Sequence, residues 1–379
     1  MSGSKTLLFT FLLILTIIST MVSGCMENSS NSQSIQLQEE KTTVQITDMA
    51  GRTVEVPENV ERVVAVGAGV LRQIAYLEAM DMVVGVESSE KEDSGTAPYR
   101  TVYFDKMADL PEVGPGHGGT PELIASTRPD VIFFGSSGGD VKDAVNYQTK
   151  TGIPVIYMDG GDLADADRET LYKTWEIYGT VLGKTERAKE LQEYTEYLIT
   201  DLKSRTEDIP DDEKPSAFPG GLSHRGGHGF LSTQYPYASF DMINARHILE
   251  KGDIDSSIIK STAFAVSPEN LHSWNPEVIF VDLSNLDLVT TDIGKNPSYK
   301  EIKAFREDNV HGVLPVSSYA RNYESVLINS YYMGSVLYPE RFSDIDFEEK
   351  ADEIYEMFLG EPAYGTMKDG LGGNRKLAF

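Results

Sequence analysis

Thr120-Pro121-Glu122-Leu123-Ile124, running on to Arg128-Pro129-Asp130-Val131-Ile132-Phe133, has a counterpart later in the chain. The counterpart is Ser267-Pro268-Glu269-Asn270-Leu271, running on to Asn275-Pro276-Glu277-Val278-Ile279-Phe280, and Pro268 stands 147 positions after Pro121. Each copy reads as an N-capping hydroxyl, a proline and a glutamate in the first helical turn, a short helix, a stopping proline and a buried strand. The local causes are plain. Thr and Ser accept from orphan amides, proline is preset for the first turn, and a carboxylate there suits the helix dipole. The second proline ends the helix, and an uninterrupted apolar run suits a strand covered on both faces. Two copies at domain-length spacing predict two similar α/β lobes.

Working outward, Val44–Thr47 and Thr53–Pro57 flank the turn Asp48-Met49-Ala50-Gly51-Arg52 and predict a β-hairpin. Arg62–Val66 reads as a buried strand, Gly67-Ala68-Gly69 as a tight turn, Val70–Met80 as helix and Val83–Val86 as the next strand. Strand, helix, strand implies parallel pairing. Between the copies, Leu182, Ala188, Leu191, Thr195, Leu198 and Leu202 recur at helical spacing. A helix from Thr185 to Thr206 would span roughly 33 Å. The polar stretch Asp208–Pro215 closes it, leaving one stiff rod between two lobes.

The first forty residues carry a different message. Lys5 precedes the apolar run Leu7–Val22, short for a spanning helix and right for a signal segment. Val22-Ser23-Gly24-Cys25 resembles the lipobox of bacterial-type lipoproteins, which implies lipidation at Cys25, the only cysteine in the chain. A single transmembrane anchor is the alternative; either way the bulk of the protein is expected outside the cytoplasm. Met26–Lys41 is rich in Ser, Asn, Gln and Glu and reads as a tether. The expected organisation is therefore signal and lipobox at 1–25, tether at 26–43, N-terminal lobe at 44–182, connecting helix at 183–209 and C-terminal lobe at 210–379.

Composition narrows the function classes. Hydrophobic residues make up 40% and charged residues 24%, as in a folded globular protein. With 59 acidic against 33 basic residues, the formal charge is −26. Such a surface repels phosphate backbones and anionic lipid, which disfavours nucleic acid and leaves the lipid anchor as the one membrane contact.

Taken together, these pieces resemble the ABC-importer binding proteins that serve ferric siderophores, haem and cobalamin. The likeness covers about Val44 to Phe342. It rests on the Asp48–Arg52 turn, the Ile74–Val86 segment, Leu110-Pro111-Glu112-Val113-Gly114, Gly152-Ile153-Pro154-Val155, both repeat copies and Asn329–Pro339. It implies two Rossmann-like α/β lobes joined by one long helix, with a ligand cleft between them, no catalysis and no intrinsic cofactor. It also implies a cargo containing iron or cobalt, and a permease with its ATPase subunits as partners. In that family the glutamate at the position of Glu122 and Glu269 docks each lobe onto permease arginines. From chemistry alone, both glutamates would merely favour their helix N-termini.

Ligands of such folds sit at the carboxyl ends of strands. The candidates there are Gly67, Ala68, Gly69, His117, Ser136 and Ser137 in the first lobe, and Arg225, His228, Asn285, Tyr319 and Arg321 in the second. Loop 220–229 places five glycines around His224, Arg225 and His228. Glycines let backbone approach a ligand, imidazole binds iron or cobalt, and arginine pairs with carboxylate or phosphate. His117 and His228 are the metal candidates; so glycine-rich a loop is not helical, so His224 and His228 are not expected to face one ion. His247, His272 and His311 read as structural. Tyr235, Tyr237 and Tyr319 could stack on a planar ligand or only pack. An oxyanion such as molybdate is the alternative cargo, served equally by arginine and backbone amides. A metal-dependent hydrolase built on His117, His224 and His228 lacks a His-Glu-x-x-His run, a Gly-x-Ser-x-Gly elbow and a cysteine nucleophile. An adhesive surface lipoprotein lacks adhesive repeats.

Overall fold

The computed structural model describes residues 42–92, 95–223, 226–249 and 263–379. The lipobox cysteine Cys25, the signal segment, the tether as far as Lys41, His224 and Arg225 lie outside the described residues, and Thr43, expected in the tether, begins the first strand. Residues from Lys41 onward form one compact unit holding two main sheets. The fold is α/β and two-lobed.

The first sheet has three parallel strands in the order Val63–Val66, Val131–Gly135, Val155–Met158. The second has five, in the order Arg375–Lys376, Val310–Val313, Val278–Asp282, Ser216–Gly220, Arg246–His247, all parallel except the pairing of the Arg375–Lys376 edge. Both repeat copies supply the central strand of their sheet, which explains why each reads as an unbroken apolar run buried along its length. The acid before each of these strands performs one task in both lobes. Asp130 accepts from the amides of Glu61 and Arg62, both at 3.1 Å, and Glu277 accepts from the Ser216 amide at 2.8 Å. Each carboxylate thereby fixes the start of the neighbouring strand in register.

The capping expectation divides. Ser267 accepts from the Asn270 amide, whereas Thr120 occupies the N-cap position of helix Pro121–Ser126 without a side-chain cap bond. Val83–Val86 is not a full strand: it contributes two isolated parallel bridges, Val63 to Val83 and Val86 to Glu112. The expected helix Val70–Met80 stops at Tyr76, and a separate 3-10 turn covers Met80–Met82.

The hairpin forms in the expected register, Val44 opposite Val56 and Ile46 opposite Val54. Asp48 holds it to the first sheet. Its Oδ1 accepts from the amides of Ala50 and Arg52, while its Oδ2 accepts from the Tyr157 amide and the Arg52 guanidinium. Arg52 in turn donates to the Val155 carbonyl at 2.9 Å. This charge-assisted set ties the hairpin to the edge strand Val155–Met158.

Helix Thr185–Thr206 has the expected bounds and buries Ala188, Leu191, Leu198, Ile199 and Leu202. One apolar cluster runs from Phe133 of the first sheet through Tyr76, Trp175 and Leu198 to Phe280 of the second. The rod is therefore packed into a core that both sheets share. Leu198→Ala is expected to lower stability by about 2–5 kcal/mol through lost burial and a residual cavity, measurable by urea unfolding.

Candidate functional site

The cleft is built from strand ends. Ala68 and Gly69 follow strand Val63–Val66, Gly135–Ser137 end strand Val131–Gly135, and Met158–Gly161 end strand Val155–Met158. These three ends meet Ala320, Arg321 and Tyr323 around a cavity of about 190 Å³. Ser137 Oγ donates to the Ala68 carbonyl at 3.2 Å, closing one loop onto the next. A second cavity of about 220 Å³ adjoins it, lined by Asp162, Leu222, Ser223, Gln234, Val316, Ser317 and Arg321. Arg321 faces both spaces. Its Nε and Nη2 donate to Asp162 Oδ2 at 3.1 and 2.8 Å.

Arg321 belongs to a loop that projects from the second sheet into the first. The segment 316–322 folds on itself, with Ser318 N–H donating to the Ala320 carbonyl and Asn322 N–H to the Val316 carbonyl. Tyr319 and Ala320 take positive φ, 49° and 86°, to make the tip. Arg72, fully buried, receives the loop: Nη1 donates to the Arg321 carbonyl at 2.5 Å and Nη2 to the Ser318 carbonyl at 2.6 Å. Tyr319 reaches deeper still. Its hydroxyl donates to Glu87 Oε2 and accepts from the His117 amide, both at 2.9 Å, and its ring lies 4.4 Å beneath the Arg100 guanidinium. Glu87 also accepts from the amides of Gly67, at 3.0 Å, and Gly118, at 2.8 Å.

Burial pushes the Glu87 carboxyl above its usual range, and the donors from Gly118, Tyr319 and Gly67 oppose that rise. Burial likewise raises Glu324, which accepts from the Tyr76 hydroxyl, and the Arg72 charge offsets part of the shift. Asp282, 1% exposed at the end of the central strand of the second sheet, is pushed up to about 6 by burial. Ser284, the Val316 amide and Arg321 pull it back.

Of the candidates read from sequence, Ala68, Gly69, Ser136, Ser137 and Arg321 line the first cavity. Gly67, His117 and Tyr319 come together, but against Glu87 and one another: the His117 and Tyr319 rings stand 4.8 Å apart, edge to face. Asn285 donates to the Gly221 carbonyl at 3.0 Å. Tyr237 is 2% exposed and packs on Phe240, and Tyr235 packs on His247. His228 lines a separate pocket of about 460 Å³ with Asp292 and Phe264. Among the described residues, no three His, Cys, Asp or Glu side chains converge as metal ligands. His247 and His311 sit in hydrogen bonds inside the second lobe, to the Gln234 carbonyl and to Tyr332 and Asn309. Glu122 and Glu269 are both exposed in the first turns of their helices.

A family model described as periplasmic binding protein matches residues 63–313, well over half the chain. The chain belongs to the periplasmic binding protein family. This binding protein is 23% identical over 331 residues to the molybdate-binding protein MolA of Haemophilus influenzae, covering 83% of this chain and 90% of the relative. MolA bound to molybdate superposes with a TM-score of 0.66 at 20% identity, over 84% and 98% of the two chains. The Fe(3+)-citrate-binding protein YfmC of Bacillus subtilis is 23% identical over 306 residues, covering 79% and 86%. A periplasmic solute binding protein from Veillonella parvula superposes with a TM-score of 0.68 at 18% identity, over 87% and 97%. Proteins of this family are solute-binding proteins and work outside the cytoplasm; among the described residues no helix is long and apolar enough to cross a membrane.

Sequence reading missed three groups that organise the cleft: Arg72, Glu87 and Asp162. Asp162 was within reach, since Gly160-Gly161-Asp162 follows the end of an apolar strand like the other candidates. Arg72 was hidden inside a helix and Glu87 in a loop. Nothing local says that a segment some 250 residues away closes onto them. A Cβ added at Gly69 would stand 2.6 Å from Ala320 Cβ, and Gly69 has φ +80°. Gly69→Ala should therefore destabilise the protein by about 1–3 kcal/mol. Adding Ala320→Gly should recover part of that loss, and denaturant unfolding of the single and double variants measures the coupling. Strictly additive effects would mean that the two residues do not oppose each other.

Proposed function

We propose that this protein captures an iron complex of the siderophore or carboxylate-chelate class outside the cell membrane and passes it to an ABC permease. The observation that carries the reading is the cleft at the strand ends of both lobes, walled by the Arg321 guanidinium and by the loops at Ala68–Gly69 and Ser136–Ser137. Loops of that kind hold a solute by hydrogen bonds and charge without making or breaking a bond. The chain is then a receptor and not an enzyme. Haem remains within the class: no histidine among the described residues lines either cavity, but Tyr323 and Met158, groups that can hold haem iron, line the first.

A molybdate-like oxyanion is the second reading. It is favoured by the small size of each space and by the likeness to MolA.

Anchoring through Cys25 would keep the receptor at the membrane, with residues 26–41 as its leash. Exposed Glu122 and Glu269, one on each lobe, would meet permease arginines, and the ATPase subunits would drive release.

The cargo is tested on the full chain purified in detergent, by elemental analysis, an ultraviolet–visible spectrum and titration with ferric citrate and sodium molybdate. Retained iron without a Soret band, together with saturable ferric citrate binding, is expected. Molybdenum or tungsten without a chromophore selects the oxyanion; a Soret or corrin band selects haem or a corrinoid. Absence of binding for every metal species sinks the cargo assignment. For docking, the Glu122→Ala, Glu269→Ala double variant should keep its cargo affinity and lose uptake in whole cells. Unchanged uptake would remove the two glutamates from the permease contact.

A further inference from the structure

The two cavities share one wall, and that wall is an ion pair. Arg321 and Asp162 both border the 220 Å³ space, and Arg321 also borders the 190 Å³ space. The backbones on either side are pinned. Arg72 holds the Arg321 carbonyl, and the Tyr323 hydroxyl donates to the carbonyls of Gly160 and Gly161, immediately before Asp162, at 3.1 and 3.0 Å. What remains free to move is the pair of side chains. Asp162 is not stranded when the pair opens, because its Oδ1 accepts from the Leu163 amide at 2.7 Å. Arg321 has no second hydrogen-bonded acid: its hydrogen bonds among the described residues run from Nε and Nη2 to Asp162 alone, and the buried Asp282 acts on it only through charge. A half-buried guanidinium that loses its carboxylate requires another anion in its place.

We propose that the Arg321–Asp162 pair is a displaceable partition: an anionic cargo takes over Arg321, releases Asp162 and joins the two chambers into one. This deepens the cargo reading above by assigning its charge. Shut, each chamber suits no more than a small ion or a single-ring molecule. Joined, they offer roughly 400 Å³, inside the range of pockets that hold organic ligands. Asp162 acts as a built-in competitor, so a neutral or cationic solute cannot open the wall, and selection for anions follows from geometry. Asp162 is a specificity-determining residue that the cargo never needs to touch.

The test compares wild type with Asp162→Asn and Arg321→Gln as full chains in detergent, using sodium molybdate and ferric citrate as probes in titration calorimetry. Removing the competitor should tighten binding by on the order of tenfold, and removing the guanidinium should weaken it by at least as much. Weaker binding by Asp162→Asn would overturn the partition, since a carboxylate that merely orients Arg321 gives that result. A second arm needs no cargo: melting is followed in sodium sulfate and in sodium chloride at equal ionic strength. Sulfate stabilises folded proteins in general, so the partition predicts a sulfate-over-chloride rise in Tm that is larger for Asp162→Asn than for wild type; equal responses overturn it. Asp162→Ser serves if the asparagine variant folds poorly. Should neither probe bind wild type, the cargo reading falls, and the sulfate arm alone decides the partition.

Discussion

The structure depends on a buried guanidinium. Arg72 sits in the first lobe with no exposed surface, and its two terminal nitrogens are spent on carbonyls of the loop from the second. Tyr99 covers its face at 4.7 Å, and the guanidinium charge in turn holds down the buried Glu324 carboxyl, which burial pushes up. A charge so deeply buried is tolerable only when partners surround it. Here the partners come from opposite halves of the chain, so folding either half alone would leave part of the set unmatched. The two lobes are therefore joined twice: covalently through the long helix, and again through the inserted loop.

That second joint fixes what the cleft can be. With Ala320 against Gly69 and Tyr319 bonded to Glu87, the loop cannot withdraw without exposing strained backbone and buried acceptors. Arg321, the next residue after the tip, is consequently presented to the cavity at a set height. Aromatic contacts beneath it, Tyr76 with Tyr323 and Phe358, and Trp175 with Tyr323, extend the apolar core across the junction. Large hinge closure is a poor description of such a body. Side-chain exchange inside a pinned frame suits it better, and the Arg321–Asp162 pair is the element placed to undergo it.

The repeat shows how two similar modules can differ in detail while keeping one arrangement. Pro121 and Pro268, and Glu122 and Glu269, hold equivalent places in their helices, and the strands after them hold equivalent places in the two sheets. The acids Asp130 and Glu277 do equivalent work on neighbouring strands with side chains of different length. The caps differ, because Ser267 bonds to its helix and Thr120 does not. Around this shared centre the lobes grew differently, three strands against five.

By itself the sequence determined whatever depends on near neighbours. Periodicity, prolines and capping residues placed the hairpin, the two central strands and the helix Thr185–Thr206, because those elements are dictated by backbone sterics and by burial of one face. The strand-end rule placed Ala68, Gly69, Ser136, Ser137 and Arg321 along one cavity for the same reason. Only the tertiary structure decided that Tyr319 and His117 face each other, that Tyr237 is core, and that Arg72, Glu87 and Asp162 matter. Their partners lie 159 to 249 positions away in the chain. No local pattern encodes a hydrogen bond over such a separation; it exists only once two independently patterned lobes have met.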